Sequence, residues 1–478
     1  LGGVAAHFYN EFDGEGVDPQ RLEQAVRALL ARHAQLRAVF ADDGRQHTPA
    51  TAAWPGLRVH DLRELPEDEA ARRLEQLRDE LSHRMLRVGD GEVFDVQLSL
   101  LPGGRTRTHL NLDMLAADAL SLRVLLADLA TLYRGTDPLA SIGYSYRRYL
   151  ADRAASAERA RDMRRDSAWW AARMPDLPGA PALPVLPGAQ AAERPRVTRR
   201  HHWLPPELRE ALFARAHRHG VTPAMALAAA YCEVLAAWSA DHRFLLNVPL
   251  FDREPLHPDV PLLVGDFTGS VLLAADLSRT ASFQDRARAT QERFLDDAAH
   301  ASYSGVEVLR DLNRAQPGGG RVLAPVVFTS ALNLGELFSE DVRACFGRPV
   351  WIISQGPQVW LDAQVTELDG GLLVNWDALE QAFPDGMLDA MFAAYRTLVD
   401  RLAASDTPWN EPVPDLLPDG QRAARARAND TDGPRTGLLL HEDFLHRADR
   451  EPERPALLWG TGGSLSYGEL ADRARRIA

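Results

Sequence analysis

The chain has 478 residues, 45% apolar and 25% charged, which excludes a disordered or collagen-like chain and leaves room for roughly two to four domains. Acidic residues outnumber basic ones, 67 to 54, for a net charge of −13, and this argues against nucleic acid as a partner, since its binders carry a basic surplus. No lysine occurs, so all 54 basic residues are arginine and neither a Schiff-base lysine nor a P-loop lysine is available in this chain.

Residues 5–12 alternate imperfectly and predict a strand. Asp18-Pro19 offers an N-cap with proline at N1, and Leu22, Ala25, Val26, Leu29 and Leu30 form one helical face to about residue 33. Leu36 to Phe40 predicts a strand, 67–86 a charged helix, and 93–100 and 106–112 two strands joined by Pro102-Gly103-Gly104. Leu120 to Tyr133 is a strongly apolar helix, and an arginine- and alanine-rich helix covers about 145–173. Residues 174–195 break the pattern with Pro175, Pro178, Pro181, Pro184, Pro187 and Pro195, the composition of a linker or long crossing segment.

Alternation then resumes. A strand is predicted at 197–204, helices at 206–219 and 223–239, the latter capped by Thr222, and strands at 243–249 and 270–275. Helices near 283–300 and 304–315 precede strands at 322–329, 350–354, 358–366 and 371–376, and a helix at about 379–403 closes the run. The patterns divide the chain into an N-terminal α/β half (1–173), the proline-rich joint (174–195), a C-terminal α/β half (196–404), a second linker (405–436) and the start of a further domain (437–478). Leu1 is no initiator methionine and Ala478 interrupts a helical pattern, so the chain reads as a piece of something longer. No leader precedes the first strand, and no stretch approaches the roughly 18 uncharged apolar residues of a membrane span, which predicts a cytoplasmic protein without membrane contact. Cys232 and Cys345 are too few for a disulfide framework or a zinc site and read as inert thiols.

Three segments carry candidate chemistry. Asn111-Leu-Asp113-Met-Leu-Ala-Ala-Asp118 runs from a strand end into a helix, either as a site at the mouth of a sheet or as an N-cap plus a solvated aspartate. Pro325-Val-Val-Phe-Thr329-Ser-Ala-Leu-Asn333 is an apolar strand ending in hydroxyls, which either enter a cleft or cap the chain. If 358–366 is a strand, Gln358, Trp360, Asp362 and Gln364 share one face, either the lining of a polar tunnel or an exposed strand face. His201-His202 reads as surface strand, and His109 beside Asp113 makes no metal site.

Together these segments resemble the heterocyclization domains of nonribosomal peptide synthetases. Asp113 to Asp118 is similar to their DxxxxD motif, Gly265-Asp-Phe-Thr268 to their GDFT motif, and Phe328-Thr329-Ser330 and Gln355-Gly-Pro-Gln-Val-Trp-Leu-Asp362 to two more. Arg32-His33 through Phe40, Leu246 to Arg253 and Leu262 to Asp266 extend the resemblance over nearly all of 1–420. The departures are Gly356, where the family usually has Thr, Ala363, where it often has His, and a missing first helix. Met114 stands where condensation domains carry a functional histidine, and a thioether moves no protons. Leu465-Ser-Tyr-Gly-Glu-Leu470 resembles the first core motif of an adenylation domain.

The resemblance implies an α/β fold of two chloramphenicol-acetyltransferase-like lobes, a V-shaped pseudo-dimer with a central tunnel. It implies amide formation between a carrier-bound acyl thioester and carrier-bound Cys, Ser or Thr, then cyclodehydration to a thiazoline or oxazoline. The implied partners are upstream and downstream carrier domains, whose phosphopantetheine arms enter the tunnel, and an adenylation domain in the same chain; no metal and no covalently bound cofactor is expected. Asp362 is the implied general acid/base, Thr329 its hydrogen-bonding partner, and Gln358 a group orienting the amide. Asp113 is expected to shape the loop and Asp118 to pair with Arg253. A condensation domain that stops at the amide and a non-catalytic scaffold of the same fold are the alternatives.

Overall fold

The computed structural model describes residues 6–135, 137–187, 195–315, 323–433, 437–439, 441–459 and 463–477. It divides into two compact units, Leu1–Leu417 and Pro418–Ala478. Part of the proline-rich joint (188–194) and the end of the second linker (434–436) lie outside the described residues. That linker is not wholly irregular: it holds helices at Thr407–Asn410 and Asp419–Asn429.

Among the described residues the first unit contains two large sheets, each backed by its own core, and a two-stranded ribbon pairing Val39–Phe40 with Gln46–His47. The first has the order Arg348–Gln355, His7–Glu15, Arg105–Asp113, Phe94–Leu100, Arg58–Asp61. Its core takes Leu22, Val26, Leu29 and Leu30 from the helix Pro19–Arg32 and Leu122, Leu125 and Leu129 from the helix Ala119–Arg134. Asp18 caps the first of these helices by accepting from Arg21 N at 2.7 Å. The second sheet has the order Val197–Leu204, Gly371–Leu379, Leu361–Leu368, Val326–Ser330, Arg243–Phe251, Thr268–Asp276. Behind it lies the helix Pro223–Trp238, alanine-rich and buried nearly all round, and an aromatic cluster in which Trp376 meets Tyr231, Tyr395 and Phe392 at 5.2–5.5 Å between ring centroids. Among the described residues no single helix is long and apolar enough to cross a membrane.

Several expected elements shift. The strand expected over Leu36 to Phe40 is confined to Val39–Phe40, because Leu36 and Arg37 belong to a 3-10 turn, Ala34–Arg37. The helix expected over 145–173 is two, Tyr146–Ala155 and Ala157–Arg173, because Ser156 turns extended and caps the second by accepting from Arg159 N at 3.2 Å.

The largest difference concerns residues 338–355, expected within the C-terminal half. Here the chain crosses over. The helix Glu340–Phe346 sinks Val342 and Phe346 into the first lobe's core, and Phe338 meets Phe12 edge-on at 5.0 Å. The strand Arg348–Gln355 then pairs antiparallel with His7–Glu15 and covers what is otherwise a bare sheet edge. Gly347 makes the turn between them at φ +89°, and a Cβ there would stand 1.7 Å from the Asp13 carbonyl oxygen. Gly347→Ala should therefore destabilise the first unit by more than the roughly 1–2 kcal/mol of a left-handed non-glycine residue, read as a lowered thermal unfolding midpoint.

Candidate active site

A cavity of about 460 Å³ lies between the lobes, one wall of it the exposed face of the second sheet. Period-two geometry builds that wall. Val327 and Thr329, Asp362, Gln364 and Thr366, and Asn375 and Asp377 face the cavity, while the alternate residues Phe328, Ala363, Val365 and Trp376 enter the core. From the first lobe, Phe8, Asn10, Ile352 and Ser354 face the same space.

Asp362 stands at the centre of a hydrogen-bonded network. Thr329 Oγ1 donates to Asp362 Oδ1 at 2.9 Å, and Gln364 Nε2 donates to Asp362 Oδ2 at 2.7 Å. Burial raises the carboxyl to a pKa of about 6, helped by the negative charge of Asp377 and opposed by the Gln364 and Thr329 hydrogen bonds and by Arg199. Asp377 lies directly across the strand pair from Asp362. Arg199 clamps it with two bonds of 2.6 Å, and Ser354 donates to it from both N (3.0 Å) and Oγ (3.2 Å). The Gln364 amide also donates to Ser354 Oγ at 2.5 Å, and its carbonyl oxygen accepts from Asn375 Nδ2 at 3.0 Å. A carboxyl that titrates at about pH 6 and faces a cavity can both donate and accept protons.

The structure thus brings Thr329 and Asp362 together, with Gln364 on the expected face. It does not bring Gln358 there. The strand begins at Leu361, and Gln358 sits in the preceding turn at φ +68°, away from the cavity lining. The turn through Gly356-Pro357 resets the alternation, so a period-two reading carried back from Asp362 fails. Trp360 is displaced for the same reason: its N donates to Pro325 O at 2.8 Å and its ring packs on the second lobe's core. Arg199, Asn375 and Asp377 were not singled out from the sequence. The signal was present in Gly371-Leu-Leu-Val-Asn-Trp-Asp-Ala-Leu379, where two polar residues at i and i+2 interrupt an apolar strand that is buried throughout.

The loop after the strand Arg105–Asp113 is held by hydrogen bonds and an ion pair. Asp113 accepts from Leu115 N at 2.9 Å, and burial raises its pKa to about 6. Asp118 is an N-cap and an ion-pair partner at once. It accepts from Ser121 N at 2.7 Å and from Arg253 Nη2 at 2.9 Å, reaching from the first lobe to the second. Ser121 Oγ donates to Gly265 O at 2.8 Å and accepts from Arg253 Nη2, also at 2.8 Å. Gly265 permits this approach, for a Cβ there would stand 2.3 Å from the Tyr146 ring. Met114 lines the cavity. Among the described residues no group of His, Cys, Asp or Glu is placed to hold a metal ion.

A family model described as "Condensation domain" matches residues 7–422. Phenyloxazoline synthase MbtB of Mycolicibacterium paratuberculosis is 53% identical over 484 residues, which is 100% of this chain and 40% of that protein. Pyochelin synthetase PchE of Pseudomonas aeruginosa is 40% identical over 482 residues, 100% of this chain and 33% of that protein. The chain therefore spans two fifths or less of the length of these relatives. Among solved structures, the EpoB NRPS cyclization-docking bidomain from Sorangium cellulosum superposes with a TM-score of 0.75 at 34% identity, covering 85% of this chain and 82% of that one.

Proposed function

Because the chain belongs to the condensation-domain family of nonribosomal peptide synthetases, in its heterocyclizing branch, we propose that its cavity joins two carrier-bound substrates and then closes a five-membered ring. In the first stage the amine of a carrier-bound Cys, Ser or Thr attacks an upstream acyl thioester. The C–N bond forms, the C–S bond breaks, and the upstream thiol leaves. In the second stage the side-chain thiol or hydroxyl adds to the new amide carbonyl, passing its proton to the carbonyl oxygen. The resulting hydroxyl takes a second proton and leaves as water, and the nitrogen gives up its proton as the C=N bond forms.

That last step asks for one group that donates a proton and takes one back. The observation that carries the assignment is the Asp362 carboxyl, raised to a pKa of about 6 so that both its forms are accessible close to neutral pH, facing the cavity and held by Thr329 at 2.9 Å. Asp362 protonates the leaving hydroxyl and its carboxylate then accepts the nitrogen proton. Thr329 fixes which oxygen faces the substrate. Thr329→Val should slow cyclodehydration by about tenfold or more while amide formation continues, read as accumulation of the uncyclized amide.

Substrates arrive on phosphopantetheine arms of carrier domains. An adjoining cavity of about 350 Å³ shares Thr268 and Ser304 with the first and carries Arg153, Arg159 and Arg310, which are ion-paired with Asp252, Glu254 and Glu307, so the arm's phosphate would share these cations with carboxylates. The unit Pro418–Ala478 is proposed to begin an adenylation domain, a reading that rests on the likeness of Leu465-Ser-Tyr-Gly-Glu-Leu470 to that domain's first core motif. Mass spectrometry of the tethered product tests the reading. Loss of one water beyond the amide supports it, the amide mass alone reduces it to condensation, and unchanged substrates reduce it to a scaffold.

A further inference from the structure

Asp362 and Asp377 face each other across antiparallel strands on the same face of the sheet, an arrangement that two carboxylates avoid when both are charged. Their surroundings differ sharply. Asp377 is 3% exposed and receives two bonds from Arg199, two from Ser354 and one from Gln364 Nε2 at 3.2 Å. Five donor contacts, two of them from one guanidinium, favour the carboxylate form. Asp362 receives two bonds, from uncharged groups, and keeps an open side toward the cavity. The single proton that the pair can hold near neutral pH therefore belongs on Asp362. Gln364 links the two: its Nε2 touches both carboxyls, while Asn375 and Arg199 Nη2, at 3.0 and 3.2 Å, hold its carbonyl oxygen.

We propose that Asp377, fixed as an anion by Arg199, is a positioning residue that decides the protonation state of Asp362 and, through Gln364, its orientation. This rests on the assignment of Asp362 to the cyclodehydration step. The charged and titratable groups around Asp362 are Asp377 on the adjacent strand, Arg199 on the strand beyond, and the Tyr231 hydroxyl on the helix Pro223–Trp238 behind the sheet. The first lobe offers Ser354 there, an uncharged donor. Tyr231 stays protonated, since burial raises it well above its ordinary range, so Asp377 and Arg199 are the charges that set the balance. Because Ser354 lies on the strand that crosses into the first lobe's sheet, the anion is also fixed by how the lobes dock.

The test uses the whole chain with acyl-cysteinyl, acyl-seryl and acyl-threonyl pantetheine thioesters whose amide is already formed, so that only ring closure is read. Asp377→Asn removes the anion and frees Arg199 toward Asp362. It should move the pH midpoint of ring closure down by about one unit or more, as expected when an opposite charge replaces a like one. Arg199→Gln should move the midpoint up, and Arg199→Lys should return it toward the wild-type value. Lower rates with unmoved midpoints, or movement of Asp377→Asn and Arg199→Gln in the same direction, would overturn the proposal. The Arg199 pair keeps the test decisive if Asp377→Asn does not fold. If Asp362→Asn closes the ring at the wild-type rate, the assignment of Asp362 itself falls. If that variant is inactive in ring closure and the midpoints stay still, only the role of Asp377 falls.

Discussion

Asp362→Asn should lower cyclodehydration by about 10²–10⁴-fold, the usual contribution of a positioned acid/base, and leave amide formation within about tenfold of the wild type. The substitution keeps the shape of the side chain and its acceptor toward Thr329, which lies 2.9 Å from the Asp362 carboxyl in the wild type. It removes only the ability to give and take a proton. Amide formation makes no such demand of this wall, because the attacking amine is already nucleophilic once deprotonated and a thiol is a good leaving group. The loss should appear in product mass as accumulation of the open amide, with acyl-donor turnover falling far less than ring closure. Equal loss of both stages in a folded variant would remove Asp362 from the dehydration step.

Asp118→Ala should act on the fold. The Arg253 guanidinium donates to Asp118 at 2.9 Å, to Ser121 Oγ at 2.8 Å and to the Leu263 carbonyl at 2.9 Å, and stacks over the Phe267 ring at 4.2 Å. Asp118 is buried, and the Arg253 side chain is 10% exposed. Removing the carboxylate strands a cation inside the junction between lobes, at a cost of about 3–5 kcal/mol. It also removes the cap of the helix Ala119–Arg134, worth about 1 kcal/mol more. Chemical denaturation should show this loss, and both reaction stages should fall together. Asp118→Asn, which keeps the cap, should lose less. An Asp118→Ala variant that unfolds at the wild-type midpoint, makes amide normally and fails only to cyclize would transfer the residue from bracing to chemistry.

What could be read in the sequence follows the range of the interactions involved. The strand Val197–Leu204 and the helix Pro223–Trp238 were legible because their signals, alternation and a Thr-Pro start, lie within a few residues. The Asp118–Arg253 pair and the Thr329–Asp362 contact came from family resemblance, since one spans two lobes and the other joins neighbouring strands that are well separated in sequence. Gln358 was misplaced because alternation was extended through Gly356-Pro357, where the backbone turns and the count restarts. Asp377 and Arg199 escaped notice for another reason. Their meaning depends on strand register, Asp377 opposite both Asp362 and Arg199, and no local pattern encodes which residue of one strand will face which residue of another. The crossover of residues 338–355 was invisible on the same grounds, because a short amphipathic helix and a strand fit either lobe by composition.

The crossover strand bears on how such proteins can be recombined. Its ladder joins Gln355 to His7 and Arg348 to Asp13, so the first sheet is completed by chain that lies more than three hundred residues downstream. A chimera spliced at the proline-rich joint would take its sheet from one parent and that sheet's edge strand from another. Residues 1–173 made alone would present the unpaired edge of His7–Glu15 to any passing strand and should aggregate. The smallest segment that can be exchanged between synthetases without cutting a ladder is therefore the pair of lobes together, although a boundary drawn from composition would have divided it in two.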